Sequence, residues 1–197
     1  FADDNGVILV APASTGAAGG IPNDNIFRVM NPPDTFAATA FVGIAQERGY
    51  ENIVVLNIDD PFGNGLVDGF TEKFQAAGGG EVRSTSYAPS PTDLSGEAAA
   101  ISADLAELQG SGNTAFFCIC LLGDAQVFLQ SAIVDPILSS VDWMGVENLA
   151  NPEILSDSGH AELLRNANFV SVSFADASTP LTQIFIDDFV AAYGSDP

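Results

Sequence analysis

Ile53-Val-Val-Leu-Asn-Ile58 is nearly continuous in apolar character, and residues 63–77 beyond it read as a helix with Phe70 and Phe74 on one face. A run without polar alternation is expected of a parallel strand covered on both faces, because a strand with one wet face alternates. Strand and helix together make half of a crossover unit, and the flanking sequence repeats the pattern.

Toward the C-terminus, Gly78-Gly-Gly80 ends the helix and residues 81–87 read as a strand. Ser90-Pro-Thr-Asp93 is expected to cap a helix that runs through Leu108. A strand over 114–122, a helix over 124–134, a short strand over 141–144 and a helical turn over 151–156 follow. Residues 169–174 give a further strand signal, and 180–193 a closing helix. Toward the N-terminus, residues 7–10 form a strand that ends in the small-residue loop Ala11-Pro-Ala-Ser-Thr-Gly16, and residues 26–29 form a second. Asp34 can cap a helix in which Phe36, Ala40, Phe41 and Ile44 recur at helical spacing up to Gly49. Strands alternating with helices predict an α/β fold: a doubly wound parallel sheet with helices on both faces, in three α/β/α layers. Ligands of such sheets lie beyond the carboxyl ends of the strands. That rule selects the loops at 12–16, 59–65, 121–124 and 145–151.

The chain has 197 residues, 47% of them hydrophobic and 16% charged, with a mean hydropathy of +0.24, enough to bury a core. Twenty-six Asp and Glu against five Lys and Arg give a net charge of -21, a field that repels DNA, RNA and anionic lipid. No nucleic-acid partner is therefore expected. So acidic a chain suits a solvent of high ionic strength, in which self-repulsion is screened. No run approaches the roughly 18 apolar residues of a membrane helix. The start, Phe1-Ala-Asp-Asp-Asn5, has no basic segment and no initiator Met, and the chain reads as processed or excised from something longer.

Few motifs for chemistry stand up. Gly63-Asn-Gly65-Leu-Val-Asp-Gly69 follows a strand, but its last glycine falls one residue late for a dinucleotide loop. Asp59 and Asp60 also put negative charge where a pyrophosphate needs positive, so Asp60 is expected to cap a helix. Neither Asp fits a calcium loop, and neither a phosphate-binding lysine loop nor a nucleophile elbow occurs. His160 sits in a polar stretch and is expected on the solvated surface. Cys118 and Cys120 fall on one face of an apparent strand, a spacing that suits neither zinc nor a redox pair, so buried free thiols are expected. The chain thus reads as a protein that is not an enzyme, with no cofactor and no metal. Glu147 stands just past the strand signal Trp143-Met-Gly145 and admits two readings: a rim residue in solvent, or a carboxylate that pairs with a cationic ligand group.

The order of Val10-Ala-Pro-Ala-Ser-Thr15, Ile26-Phe-Arg28, Asn57-Ile-Asp-Asp-Pro-Phe-Gly-Asn-Gly-Leu66, Ala77-Gly-Gly-Gly-Glu-Val82, Thr92-Asp-Leu-Ser95 and Met144-Gly-Val-Glu-Asn-Leu-Ala-Asn151 resembles the type I periplasmic binding proteins. Within that family the likeness is to the substrate-binding proteins of branched-chain amino acid and amide ABC transporters. It implies two α/β lobes that close on a small ligand. Residues 1–32 would belong to the first lobe, 33–171 to the second, and 172–197 to a return into the first.

The resemblance also implies a site. The loop Ala13, Ser14 and Thr15 matches the one that holds the ligand's amino and carboxylate groups, and Thr15 keeps its hydroxyl. Glu147 matches the acidic partner of the α-ammonium. Phe62 stands where the family usually has Tyr, and Leu121 matches another aromatic contact, again without a hydroxyl. These departures imply an apolar wall facing a carboxylate, suited to a small amino acid, amide or amine. The implied partner is a membrane permease of an ABC transporter, and the implied location is periplasmic or extracellular, with a lipid anchor in the full-length protein. A ligand-binding sensor domain of the same fold is the alternative. A second lobe that carries an orphan strand and helix of the first would expose apolar surface and is expected to self-associate.

If screening of the carboxylates stabilises the fold, the melting temperature rises between about 0.1 M and about 1 M KCl, as the screening length shrinks from roughly 10 Å to roughly 3 Å. Differential scanning calorimetry reads this directly, and a flat or falling profile contradicts it.

Overall fold

The computed structural model describes residues 3–11, 23–28, 34–173 and 180–194. Two sheets occur among them. Strands β1 (Leu9–Ala11) and β2 (Ile26–Arg28) form a parallel pair. The larger sheet holds β3 (Asn52–Ile58), β4 (Val82–Tyr87), β5 (Thr114–Ile119), β6 (Trp143–Gly145) and β7 (Val170–Ser171) in the order β4-β3-β5-β6-β7. All of its neighbours are parallel, with Ile53 opposite both Val82 and Ala115. The expected doubly wound parallel sheet is present.

Every residue of β3 and of β5 is buried. Two adjacent phenylalanines in β5 show how. Phe117 packs on Phe41 of α1 (Asp34–Glu47) and Phe70 of α2 (Pro61–Ala76), with ring centroids 4.6 and 5.3 Å away. Phe116 points the other way, onto Phe128 of α4 (Leu122–Ala132) and Trp143, at 5.3 and 4.6 Å. Helices α1 and α2 cover one face, while α3 (Ser95–Leu108), α4 and α5 (Ser158–Asn166) cover the other. Phe70 and Phe74 share the buried face of α2, as their spacing predicts.

Several boundaries move for local reasons. Helix α2 starts at Pro61 and not Gly63, because Asp60 takes the capping position and proline suits the first turn, which has no use for its missing N–H. In α1 the core takes Ala38, Phe41, Val42 and Ala45, while Phe36 turns outward at 62% exposure, so the stripe inferred from spacing is rotated. Strand β5 stops at Ile119, and β7 keeps only two of the residues expected over 169–173. Helix α5 is absent from the sequence reading. Asp157 builds it by accepting from the backbone N–H groups of Gly159 and His160, at 2.8 and 3.1 Å, and these bonds hold its carboxyl below the ordinary range.

Two expectations fail. His160 is only 3% exposed: α5 turns it inward, where Gln130 Nε2 donates to its Nε2 at 2.7 Å. Cys118 and Cys120 are not free thiols but a disulfide, with Cα atoms 5.4 Å apart. Two residues of extended strand span roughly 6.6 Å. The chain is already leaving the sheet here for the helix at Leu122, and that bend brings the two side chains together.

At the amino-terminal edge of the large sheet, a network joins the entries of three strands. Arg48 donates to the Asn168 carbonyl at 2.7 Å, Tyr50 to Asp142 at 2.8 Å, and Asn168 to Asp142 at 2.8 Å. Burial pushes the Tyr50 hydroxyl up to about 12, so it remains a donor. On the same edge Arg83 binds Glu107, Glu81 and Asp104, at 2.9, 2.7 and 3.0 Å.

The Cα of Gly63 lies so close under the Ile58 carbonyl that a Cβ there would run into it. Gly63→Ala is therefore expected to cost about 2 kcal/mol or more through forced displacement of the β3–α2 turn. Urea unfolding measures this, and a midpoint equal to wild type contradicts the close approach.

Candidate functional site

The chain leaves β3 for β4 on one side and returns through α3 to β5 on the other. Connections therefore diverge at the carboxyl ends of β3 and β5, where doubly wound sheets open a crevice. The turn after β3 is built from polar side chains that satisfy one another. Asn57, 1% exposed, donates to Asn64 Oδ1 at 2.9 Å and to the Ile58 carbonyl at 3.2 Å, and it accepts from Ser86 Oγ at 3.2 Å. Asn64 donates to Asp59 at 2.9 Å, and Asp60 accepts from the Gly63 N–H at 2.8 Å, the capping role expected of it. Fully paired buried groups fix a loop without leaving a desolvated atom.

On this frame Phe62 stands in the first turn of α2, half-buried and packed on the core. Leu121 lies between β5 and α4 and is 43% exposed. Glu147 opens a single 3-10 turn after β6 and is half-buried. Ser171 Oγ donates to the Val146 carbonyl at 2.7 Å, which anchors the approach to that turn. The three residues thus occupy the carboxyl ends of three successive strands, β3, β5 and β6. Ala13, Ser14 and Thr15 lie outside the described residues. Sequence reasoning passed over Asn57, Tyr87 and Asp124, which shape the same edge. Asn57 had a signal, a lone polar residue near the end of an apolar strand, whereas Tyr87 ends the polar strand β4 and Asp124 opens a helix.

Carboxylates stand at both edges of the large sheet, but its cations stand at one. Arg48, Lys73, Arg83 and Arg165 stand at the end of α1, in the last turn of α2, at the start of β4 and in the last turn of α5. All four belong to the amino-terminal edge. Arg28, the fifth cation, belongs to β2 in the smaller sheet. The carboxyl edge carries Asp59, Asp60, Asp124 and Glu147, with no Lys or Arg of the large sheet's described residues beside them. An open hollow of about 660 Å³ lies on the opposite, amino-terminal side, lined by Tyr50, Asn52, Phe74 and Gly78 to Gly80. Both amides in its lining are engaged: Asn52 accepts from the Glu81 N–H at 3.0 Å, and Gln46 donates to the Ala77 carbonyl at 3.5 Å. Among the described residues no group of His, Cys, Asp and Glu is placed to hold a metal, and no helix is long and apolar enough to cross a membrane.

Comparisons with known proteins bear on the fold and the family. The chain is similar to an uncharacterized protein of Methanocaldococcus jannaschii, 26% identical over 160 residues, which covers 77% of this chain and 37% of that one. Among solved structures, the leucine-binding protein of Thermotoga maritima superposes with a TM-score of 0.68 at 20% identity, covering 100% of this chain and 53% of the other. An ABC transporter substrate-binding protein of Desulfitobacterium hafniense, solved with leucine, gives 0.66 at 23% identity, again covering 100% and 53%. The chain spans about half the length of these solved relatives and less of the archaeal one. A family profile described as periplasmic binding protein matches residues 1–197, and the chain belongs to that family.

Proposed function

We propose that the chain is part of an extracytoplasmic solute-binding protein that captures a small amino acid, amide or amine and delivers it to the permease of an ABC transporter. The family is one of solute-binding proteins, not enzymes. The observation that carries the ligand class is the division of charge. A half-buried carboxylate, Glu147, stands on an edge whose other charges are also negative, in line with apolar Phe62 and Leu121. Such a surface favours an ammonium group beside an apolar body and disfavours a lone carboxylate. Residues 1–32 and 172–197 are read as first-lobe segments and 33–171 as the second lobe. Ala13, Ser14 and Thr15 would then meet the polar end of the ligand from the opposite side. A lipid anchor in the full-length protein would keep the receptor near its permease.

Two measurements test this reading. Titration calorimetry of the full-length protein with leucine, isoamylamine and benzoate is expected to show the first two binding and benzoate silent. Glu147→Gln is expected to weaken the amine by roughly tenfold or more, the worth of a charge-assisted bond. Unchanged affinity removes Glu147 from the site, and benzoate as the tightest ligand reverses the charge argument. The isolated 197-residue chain exposes Val10 and Phe27 on the small sheet, and Ile184, Phe185 and Tyr193 on α6 (Pro180–Tyr193). It is expected to associate through these faces. A monodisperse monomer in light scattering contradicts that.

A further inference from the structure

Tyr87 ends β4 and is buried, yet its hydroxyl reaches across the end of β3 to another element. It donates to Asp124 Oδ2 at 3.0 Å, in the first turn of α4, and Asp124 is only 9% exposed. Helix α4 has no side-chain cap of its own, since its capping position is occupied by Leu121. The turn between β5 and α4 is therefore held from outside, by a side chain of a strand two places away in the sheet. Burial, with the charge of Asp124 second, raises the Tyr87 hydroxyl far above its usual range, so it stays a donor at any pH the fold survives.

We propose that Tyr87 is a positioning residue for ligand binding: its hydroxyl sets the place of the β5–α4 turn and so the depth to which Leu121 projects into the cleft. The size of apolar ligand group that fits is then governed by a residue behind the wall. This rests on the receptor reading above. Removing the hydroxyl leaves Asp124 without its donor and the turn without its tie to β4, so that only the Cys118–Cys120 link behind it remains, while the Phe ring preserves the packing.

The test is a double-mutant cycle in the full-length protein, with leucine and phenylalanine as probes in calorimetry. Tyr87→Phe is expected to shift the ratio of the two dissociation constants by roughly threefold to tenfold, the range of one lost hydrogen bond. Asp124→Ala removes the same bond from the helix side and is expected to shift the ratio in the same direction. If both act through one bond, the double variant shifts it no further than either alone. Loss of stability alone would not move this ratio. Amide exchange over residues 121–125, measured without ligand, is expected to accelerate in each variant. An unaltered ratio in Tyr87→Phe, or shifts that add in the double variant, overturns the proposal. Should Tyr87→Phe fail to fold, the ratio in Asp124→Ala decides. A wild type that binds none of leucine, phenylalanine and isoamylamine overturns the receptor reading, and this proposal with it.

Discussion

The packing of Phe116 and Phe117 on opposite faces of β5 is the constraint from which the rest of the lobe follows. Two consecutive large rings in one strand both avoid water only if a helical layer covers each face. Helices on both faces require connections that leave the sheet in both directions. The place where they part is the crevice at β3 and β5, so the position of the candidate site is a consequence of how the core is filled.

Around that crevice the protein uses polar side chains as construction material. Asn57, Asn64 and Ser86 complete one another's hydrogen bonds at the exit of β3. At the exit of β5 a disulfide and an unusually buried tyrosine hold the turn instead. A short turn with Leu121 exposed at its tip has little apolar surface to bury. Its order is supplied by directional bonds and a covalent link, which act where packing cannot.

The core was easy to read and the site was not, for reasons that trace to particular residues. Ile53 to Ile58 announced a strand covered on both faces because its burial, Asn57 apart, needs nothing but apolar side chains. The helices around it followed from period and caps. Spacing misjudged Phe36, because a stripe on a helix names a face only to within the neighbouring residue and packing against α2 chose Phe41 and Val42. It missed α5, whose first turn is polar and whose inward histidine looks like a surface residue until Asp157 is seen to nucleate the helix. It also read the cysteines as separate, because their pairing depends on a bend at the end of β5 that composition does not encode. Phe62 and Leu121 came from a resemblance to known proteins, whereas Glu147 was marked first by its place just past a strand signal, and the structure sets all three at the ends of three successive strands. The Tyr87–Asp124 pair joins residues 37 apart in the chain, across the end of an intervening strand, and no local pattern marks such a contact.

The four cations around the large sheet stand at its amino-terminal edge, where Arg48 and Arg83 tie helix ends and strand entries together. Changes at the far edge share no partners with those bonds, and distant sites with no common partner perturb stability independently. The residues at the carboxyl edge can therefore be exchanged without renegotiating the scaffold beneath, so the chemistry presented at that edge and the architecture that presents it become separate evolutionary variables.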